Sequence, residues 1–363
     1  MHQNIEPRPA ETNPGTDGAK EPPIAPKREP YNARIGNGPG ALDMPAKDVP
    51  ASVKPAPVRP GDMSPVLLPV GTKSPNGNVM LGGGGKFFLV EGSNGLLAQY
   101  GRTASEVAPD VGRWRALVAA RRDHAASVGA ALFQTIVPEQ LSVVPHLFPD
   151  ELRTPTAMFG GVEAALTELL GDRYVSVIGS LEALGARAVR PGDSHLTPEG
   201  SCALARRITG AIAPGVSIAP EFSGTGKLAG DLLVQMFNMP IEEHFATPSE
   251  NWFPVPTLIS RIEPRPNRHM GLEEHWENPA AQIDRSILVF GNSFFATEAF
   301  GPAHLGWWFA RLFREYHFVW SPGYFAETVT DLRPDIVLCQ TIERFLPTVP
   351  VDSMQGGRGS AGA

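Results

Sequence analysis

Two stretches of the chain hold side chains whose types and spacing suit nucleophilic chemistry. In SILVFGNSFFAT (286–297) a continuous apolar run leads into Gly291-Asn292-Ser293-Phe294. If that run is a strand of a parallel sheet, its carboxyl end is where such sheets bind ligands, and the Ser293 hydroxyl stands there. The backbone amides around it, at Gly291, Ser293 and Phe294, are then available to bind the oxyanion of a carbonyl under attack. In PGDSHLTPEG (191–200), Asp193 and His195 are two residues apart, so on extended backbone their side chains project to one side. A carboxylate in that position fixes the imidazole tautomer and stabilises the imidazolium formed when the ring takes a proton. Each stretch also has a purely architectural reading: Ser293 as a turn residue or N-cap, Asp-x-His as a cap on the helix starting near Thr197-Pro198-Glu199. Together they supply a nucleophile, a base and an orienting acid, and such triads are defined by geometry rather than by nearness in sequence.

Positioning these groups requires an alternation of strands and helices, and hydrophobic periodicity predicts one. A short strand lies at the start of GKFFLVEGSNGLLAQY (85–100), before a turn at Ser93-Asn94-Gly95. Residues 111–128 place Trp114, Leu117, Val118, Ala125 and Val128 at helical spacing, and ALFQTIVPEQ (131–140) holds a buried strand ended by Pro138. A helix over 161–170, a strand over 174–179 and a helix over 199–212 follow. Further on come a strand over 286–290, a helix over 304–316, and strands over 317–320 and 335–340. Such alternation predicts an α/β domain with a mostly parallel sheet. Residues 219–280, rich in Pro and aromatics and weakly periodic, read as an insertion or long loop over the sheet.

Proline marks the limits of this domain. Of 37 prolines, 14 fall in residues 1–65, which also carry 8 acidic and 8 basic residues and a single aromatic, Tyr31. Such a segment cannot bury enough surface to offset an ordering entropy of roughly 1–2 kcal/mol per residue. The expected organisation is a disordered, tether-like tail over 1–76, one domain over 77–350 and a flexible tail over 351–363. The first tail is neutral, so the net charge of −7 falls on the domain and argues against nucleic-acid binding. Cys202 and Cys339 are too few for a disulfide framework, lack metal-ligand spacing and read as core residues. No run approaches the ~20 apolar residues of a membrane span. MHQNIEPRPAETNPG lacks the apolar core of a secretory signal, so the expected location is cytoplasmic.

Other stretches carry less. SGTGKLAG (223–230) lacks the first glycine and the final Ser/Thr of a phosphate-binding loop, with Glu221 and Leu228 in those places. His269, Glu273, Glu274 and His275 match no established metal spacing and read as an exposed polar loop. Trp252, Phe253 and Trp276 fall in the irregular stretch; Trp252 and Trp276 are candidates for stacking on a substrate ring, against ordinary packing. Trp307 and Trp308 sit in an apolar helix and read as core.

These blocks carry a resemblance. The strand followed by GNSF resembles the GDSF-type nucleophile block of SGNH hydrolases. GDSHLTPEGSCALA (192–205) resembles the D-x-H-W-T-x-x-G block of their alginate O-acetyltransferase (AlgJ/AlgX-type) branch. In that branch the Asp/His pair precedes the serine, the reverse of ordinary SGNH enzymes, and this chain has that order. GKFFLVEGSNGLL, ALFQTIVPEQLSVVPHLFPDEL and RPDIVLCQTIERFL are similar to the opening, strand-turn and closing blocks, so the likeness runs over about residues 80–347. The departures are Phe87-Phe88 where Trp is frequent, Leu196 for the Trp after the histidine, and Asn292 for Asp; none is a triad member.

The resemblance implies a three-layer, SGNH-like α/β sandwich. It implies a serine-dependent O-acetyltransferase acting on polysaccharide or other carbohydrate hydroxyls, with Ser293 as nucleophile, His195 as base and Asp193 as its orienting acid. Arg344 in the closing block is a candidate support, against a surface ion pair with Glu343. No cofactor or metal is implied. The implied partners are a carbohydrate acceptor and an acetyl donor, the latter linked in that family to a membrane-bound O-acyltransferase, and the family relatives are periplasmic. Two alternatives stand beside this reading: a carbohydrate acetyl esterase with the same triad, and a catalytically silent carbohydrate-binding or assembly protein of a polysaccharide-synthesis system.

Overall fold

A computed structural model describes residues 68–92, 94–249, 253–264, 270–296 and 298–354. Residues 1–67 and 355–363, most of the two expected tails, lie outside the described residues, as do Ser93, Trp252 and His269. The chain first forms a small antiparallel pair, β1 (Val79–Leu81) and β2 (Phe87–Leu89). Residues 68–76 belong to this structure rather than to a tail. The Gly71 amide donates to the Leu81 carbonyl at 2.7 Å and the Ser74 amide to that of Val79 at 2.8 Å. Composition cannot register backbone that is satisfied by pairing with the strand that follows it.

The remaining elements are α1 (Leu96–Gln99), α2 (Ala104–Ser127), β3 (Ala131–Val137), α3 (Gln140–Val143), α4 (Ala157–Leu170), α5 (Ile178–Glu182) and α6 (Pro198–Ile212). After them come β4 (Gly224–Ala229), α7 (Asp231–Phe237), β5 (Glu242–Thr247), β6 (Thr257–Ile262), β7 (Glu273–Glu277) and β8 (Ile283–Gly291). The chain ends with α8 (Leu305–Leu312), β9 (Phe313–Trp320), α9 (Ala326–Leu332) and β10 (Ile336–Ile342). No helix among the described residues is long and apolar enough to cross a membrane.

Six strands form one sheet in the order β3-β10-β8-β9-β7-β6. β3, β10, β8 and β9 run parallel, whereas β7 and β6 join antiparallel at one edge, so the sheet is mixed. The central strands are apolar on both faces, as strands covered on both sides must be. Phe133, Ile287, Val289, Ile336 and Leu338 point into one cluster with Leu204 and Ile208 of α6 and Trp308 and Phe309 of α8. Their alternate neighbours Leu132, Leu288, Phe290, Val337 and Cys339 point into another with Trp114 and Val118 of α2 and Phe159 and Val162 of α4. Both cysteines are buried and unbridged.

Three sequence expectations change. Residues 174–179 are not a strand: Tyr174 makes a single bridge to Gln134, the Val175 amide donates to the Gln134 carbonyl at 2.9 Å, and the chain then turns into α5, with Val175 and Val177 buried. The helix expected to reach 316 ends at Leu312, because pairing with β8 from Phe313 onward overrides the helical spacing. The stretch 219–280 is not a loop but supplies β4 to β7 and α7, its prolines confined to the connections. Within it SGTGKLAG forms β4, paired with β5, and not a phosphate loop.

Candidate active site

Parallel pairing brings several strand ends to one edge. β8 ends at Gly291, two residues before Ser293, next to β10, whose Gln340 accepts from the Asn292 amide through Oε1 at 3.1 Å. A side chain at Gly291 would meet that same oxygen at 3.0 Å, which accounts for the glycine by close approach. Asn292 caps the short 3-10 turn that follows, its Oδ1 accepting from the Phe294 amide at 3.1 Å. Of the three amides expected to bind an oxyanion, that of Phe294 is therefore already engaged by Asn292, and Gly291 sits inside the strand, paired with Trp320. The Ser293 amide has no hydrogen-bond partner among the described residues and is the donor left available.

Asp193 and His195 arrive on a tight loop between α5 and α6, closed by the Arg190 amide donating to the His195 carbonyl at 3.2 Å and the Thr197 amide to that of Ala188 at 3.0 Å. Thr197 caps α6 by accepting from the Gly200 amide at 3.0 Å, with Pro198 in the first turn. The two side chains meet through a bend rather than along extended backbone. Asp193 Oδ1 accepts from both the His195 amide at 2.8 Å and His195 Nδ1 at 2.7 Å. On the other side of the ring, Nε2 lies 2.8 Å from Ser293 Oγ. With a carboxylate at Nδ1, the proton belongs there, leaving Nε2 to accept from the serine hydroxyl.

Asp193 is held from three directions. The Asp231 amide, at the start of α7, donates to Oδ2 at 3.0 Å, and Arg190 Nη1 is 2.8 Å from the same oxygen. Gln140, just past the end of β3, donates to the Asp193 carbonyl at 2.6 Å. Burial alone would raise the Asp193 carboxyl pKa, but the His195 hydrogen bond and the charges of His195 and Arg190, with the Asp231 amide, outweigh it and hold the group well below the usual carboxylate range.

The groups that hold Asp193 carry charges and hydrogen bonds that sequence reasoning did not find. Arg190 is buried, spans Asp193 and Glu243 (Nη2 to Oε2, 2.7 Å), and donates to the Leu228 and Ala229 carbonyls. Glu243 in turn accepts from the Gly192 amide at 2.7 Å. Asp231 accepts from both the amide (2.7 Å) and the hydroxyl (2.5 Å) of Ser194. Lys86, just before β2, donates Nζ to the Arg190 carbonyl; burial lowers its pKa to about 7 despite the nearby Glu243 and Asp193. Arg190 stands three residues before Asp193, a spacing that turn chemistry makes suggestive. Glu243 and Lys86 carry no sequence signal, being brought in by contacts across more than fifty residues.

His304, preceding α8, lies against the opposite side of the serine. Its Nδ1–H donates to the Ser293 carbonyl at 2.6 Å and its ring centre is 5.0 Å from that of His195. Burial, then the proximity of His195, lowers its pKa to about 3, so it is neutral at ordinary pH. Phe294 packs its ring 5.0 Å from the His195 ring and limits the imidazole to its bonded orientation.

The remaining expected site residues are elsewhere. Arg344 pairs with Glu139 at 2.8 Å rather than with Glu343; Glu343 is fully buried and accepts from the Glu139 and Thr156 amides at 2.9 and 2.8 Å. Trp276 is enclosed in the core on β7, opposite Tyr316, so it presents no stacking face; Trp252 lies outside the described residues. Glu273, Glu274 and His275 are on β7 and not in an exposed loop. Trp308 is core as expected, while Trp307 is only partly buried, with Arg311 4.0 Å over its ring.

No family model matches the chain, and no curated protein matches it significantly. Solved structures do. The O-acetyltransferase domain of Pseudomonas putida AlgJ is similar at 16% identity and a TM-score of 0.49, over 76% of this chain and 94% of that one. PatB1 of Bacillus cereus, in a structure with a sulfonyl adduct, is similar at 12% identity and a TM-score of 0.47, over 70% of this chain and 92% of that one. AlgX of Pseudomonas aeruginosa is similar at 14% identity and a TM-score of 0.41, over 76% and 64%.

Proposed function

We propose that the protein is a serine-dependent O-acetyltransferase on a three-layer, SGNH-like sandwich, transferring acetyl groups to carbohydrate hydroxyls through an acetyl-serine intermediate. The observation that carries this reading is the continuous hydrogen-bonded chain from Ser293 Oγ through His195 to Asp193, at 2.8 and 2.7 Å. In the first half-reaction His195 Nε2 takes the Ser293 proton as Oγ bonds to the acetyl carbonyl carbon. The resulting oxyanion is met by the Ser293 amide, a type of contact that contributes roughly 2.7–4 kcal/mol. Collapse breaks the bond to the donor oxygen, which leaves with the proton from His195. In the second, an acceptor hydroxyl gives its proton to the same nitrogen, attacks the acetyl-serine and regenerates Ser293.

The sequence resemblance supports carbohydrate as acceptor, together with an acetyl donor supplied by a membrane-bound O-acyltransferase and a periplasmic location. The reading is tested with a chromogenic acetyl ester, with and without oligosaccharide. Wild type releases the chromophore and acetylates the sugar, and Ser293→Ala loses at least about a thousandfold in kcat. Equal turnover by both proteins removes Ser293 from the reaction. Release without sugar acetylation assigns the acetyl group to water, making the protein an esterase with the same triad.

A further inference from the structure

A second cluster of ligating side chains lies outside the triad, on the part of the sheet added by β7. The antiparallel register of β7 and β9 sets His275 opposite His317 and Glu277 opposite Glu315. Within each strand the two residues are separated by one, so all four project from a single face, the one opposite Tyr316 and Phe318. His275, Glu315 and His317 each offer a ligand atom, and these atoms lie within 4.8 Å of one another. The two imidazole rings stack with centres 4.1 Å apart and planes 15° from parallel.

The arrangement pairs like with like. Two carboxylates directly opposite each other across strands repel. Within each strand the side chains are also near one another, His275 Nε2 lying 3.7 Å from Glu277 Oε1 and His317 Nε2 3.8 Å from Glu315 Oε2. Arg314 lies 2.9 Å from Asp284 through Nε and 3.7 Å from Glu315 through Nη1, at the edge of the cluster. A cation between the rows turns the carboxylate repulsion into an attraction and gives both neutral imidazoles an ion to bind.

We infer that His275, Glu315 and His317, completed by Glu277 or water, bind a divalent transition-metal ion of the zinc type and clip β7 to β9. Two neutral imidazole nitrogens with a carboxylate suit zinc rather than magnesium or calcium, which take oxygen. Ligands about 2.0–2.1 Å from zinc stand about 3.3 Å apart in a tetrahedron, so side-chain rotations of about 1 Å close the site. The face is half-buried, with side-chain exposures of 23% for His275, 13% for His317 and 32% for Glu315, so the ion has both an entry path and partial shielding.

The full chain, freed of metal with a chelator, is titrated with zinc by calorimetry and with cobalt by visible absorption. One saturable site per chain is expected, together with a zinc-dependent rise in Tm. His317→Gln, and separately the shape-conserving Glu315→Gln, are expected to weaken binding by more than about tenfold while far-UV circular dichroism without metal is unchanged. His195→Gln is expected to bind as wild type does. Absence of saturable uptake below roughly 100 μM zinc overturns the inference, as does wild-type binding by a His275→Gln/His317→Gln protein. Loss of binding in His195→Gln also overturns it, since the ion then sits at Asp193, His195 and Asp231.

Discussion

Replacing Asp193 with Asn separates the carboxylate's charge and bonding from its shape. The two oxygens of Asp193 receive four donors: the His195 amide and Nδ1 at Oδ1, and the Asp231 amide and Arg190 at Oδ2. Asparagine offers one acceptor oxygen and one donor NH2 in the same volume. If its oxygen keeps the His195 side, the NH2 faces the Asp231 amide and Arg190, donor against donor. If it turns to the Arg190 side, the NH2 faces Nδ1, which must then give up its proton. The proton moves to Nε2, and the nitrogen that should accept from Ser293 becomes a donor. Either arrangement also removes the negative charge that would stabilise the imidazolium. Loss of tautomer and charge together corresponds to a fall of about 10³–10⁴ in kcat, or about 4–5.5 kcal/mol of transition-state stabilisation. The assay is acetyl-ester turnover by wild type and Asp193→Asn over a range of pH, with circular dichroism to show an unchanged fold. A loss smaller than about tenfold refutes the role given to Asp193, because a carboxylate so engaged would then be contributing only to the loop.

Three further outcomes follow from the surroundings of the triad. Arg190→Met leaves the Asp193 and Glu243 carboxylates buried without their shared cation, and is expected to cost about 3–5 kcal/mol in urea unfolding; a loss below about 1 kcal/mol would show that Lys86 and water compensate. Gly192→Ala places a Cβ 2.3 Å from Leu233 Cγ, so α7 must shift away from the Asp193 loop, at about 1–3 kcal/mol of stability and with a larger fall in kcat than rise in KM. His304 has its folded pKa lowered from 6.5 to about 3, with His195, Asp193 and Arg190 facing it. As pH falls below 6.5 the unfolded chain takes up this proton and the folded one does not, so stability is lost, on the order of 3 kcal/mol by about pH 4.5. Chemical unfolding at a series of pH values should show this slope in wild type and a flatter one in His304→Gln; identical slopes would count against it.

Local signals were sufficient to single out the groups proposed to do the chemistry. A four-residue apolar run before Gly291, Ile287 to Phe290, is readable as a buried strand without any knowledge of its neighbours, and Ser293 follows from its end. Asp193 and His195 lie two residues apart before a Thr-Pro helix start, so their association is also a local matter, although through a bend rather than an extended segment. The misread elements are those where a partner decides. The helical spacing over 304–316 is real, yet Phe313 onward is a strand because β8 offers a full row of backbone bonds. The weakly periodic 219–280 becomes strand because β6, β7, β4 and β5 each have a pairing edge.

The sequence by itself therefore determined the α/β class, the serine at a strand end and the Asp-x-His pair proposed to act with it, since each of these is encoded within a dozen consecutive residues. The tertiary structure alone decided that Ser293 and His195 meet at 2.8 Å, that the Phe294 amide is already taken, that Arg344 serves Glu139, and that Arg190, Glu243, Lys86 and His304 surround the triad. The physical reason is range. Propensity, capping and periodicity act over a turn or two of chain, whereas the bonding of a buried charge depends on whichever distant segment packing brings within about 3 Å of it.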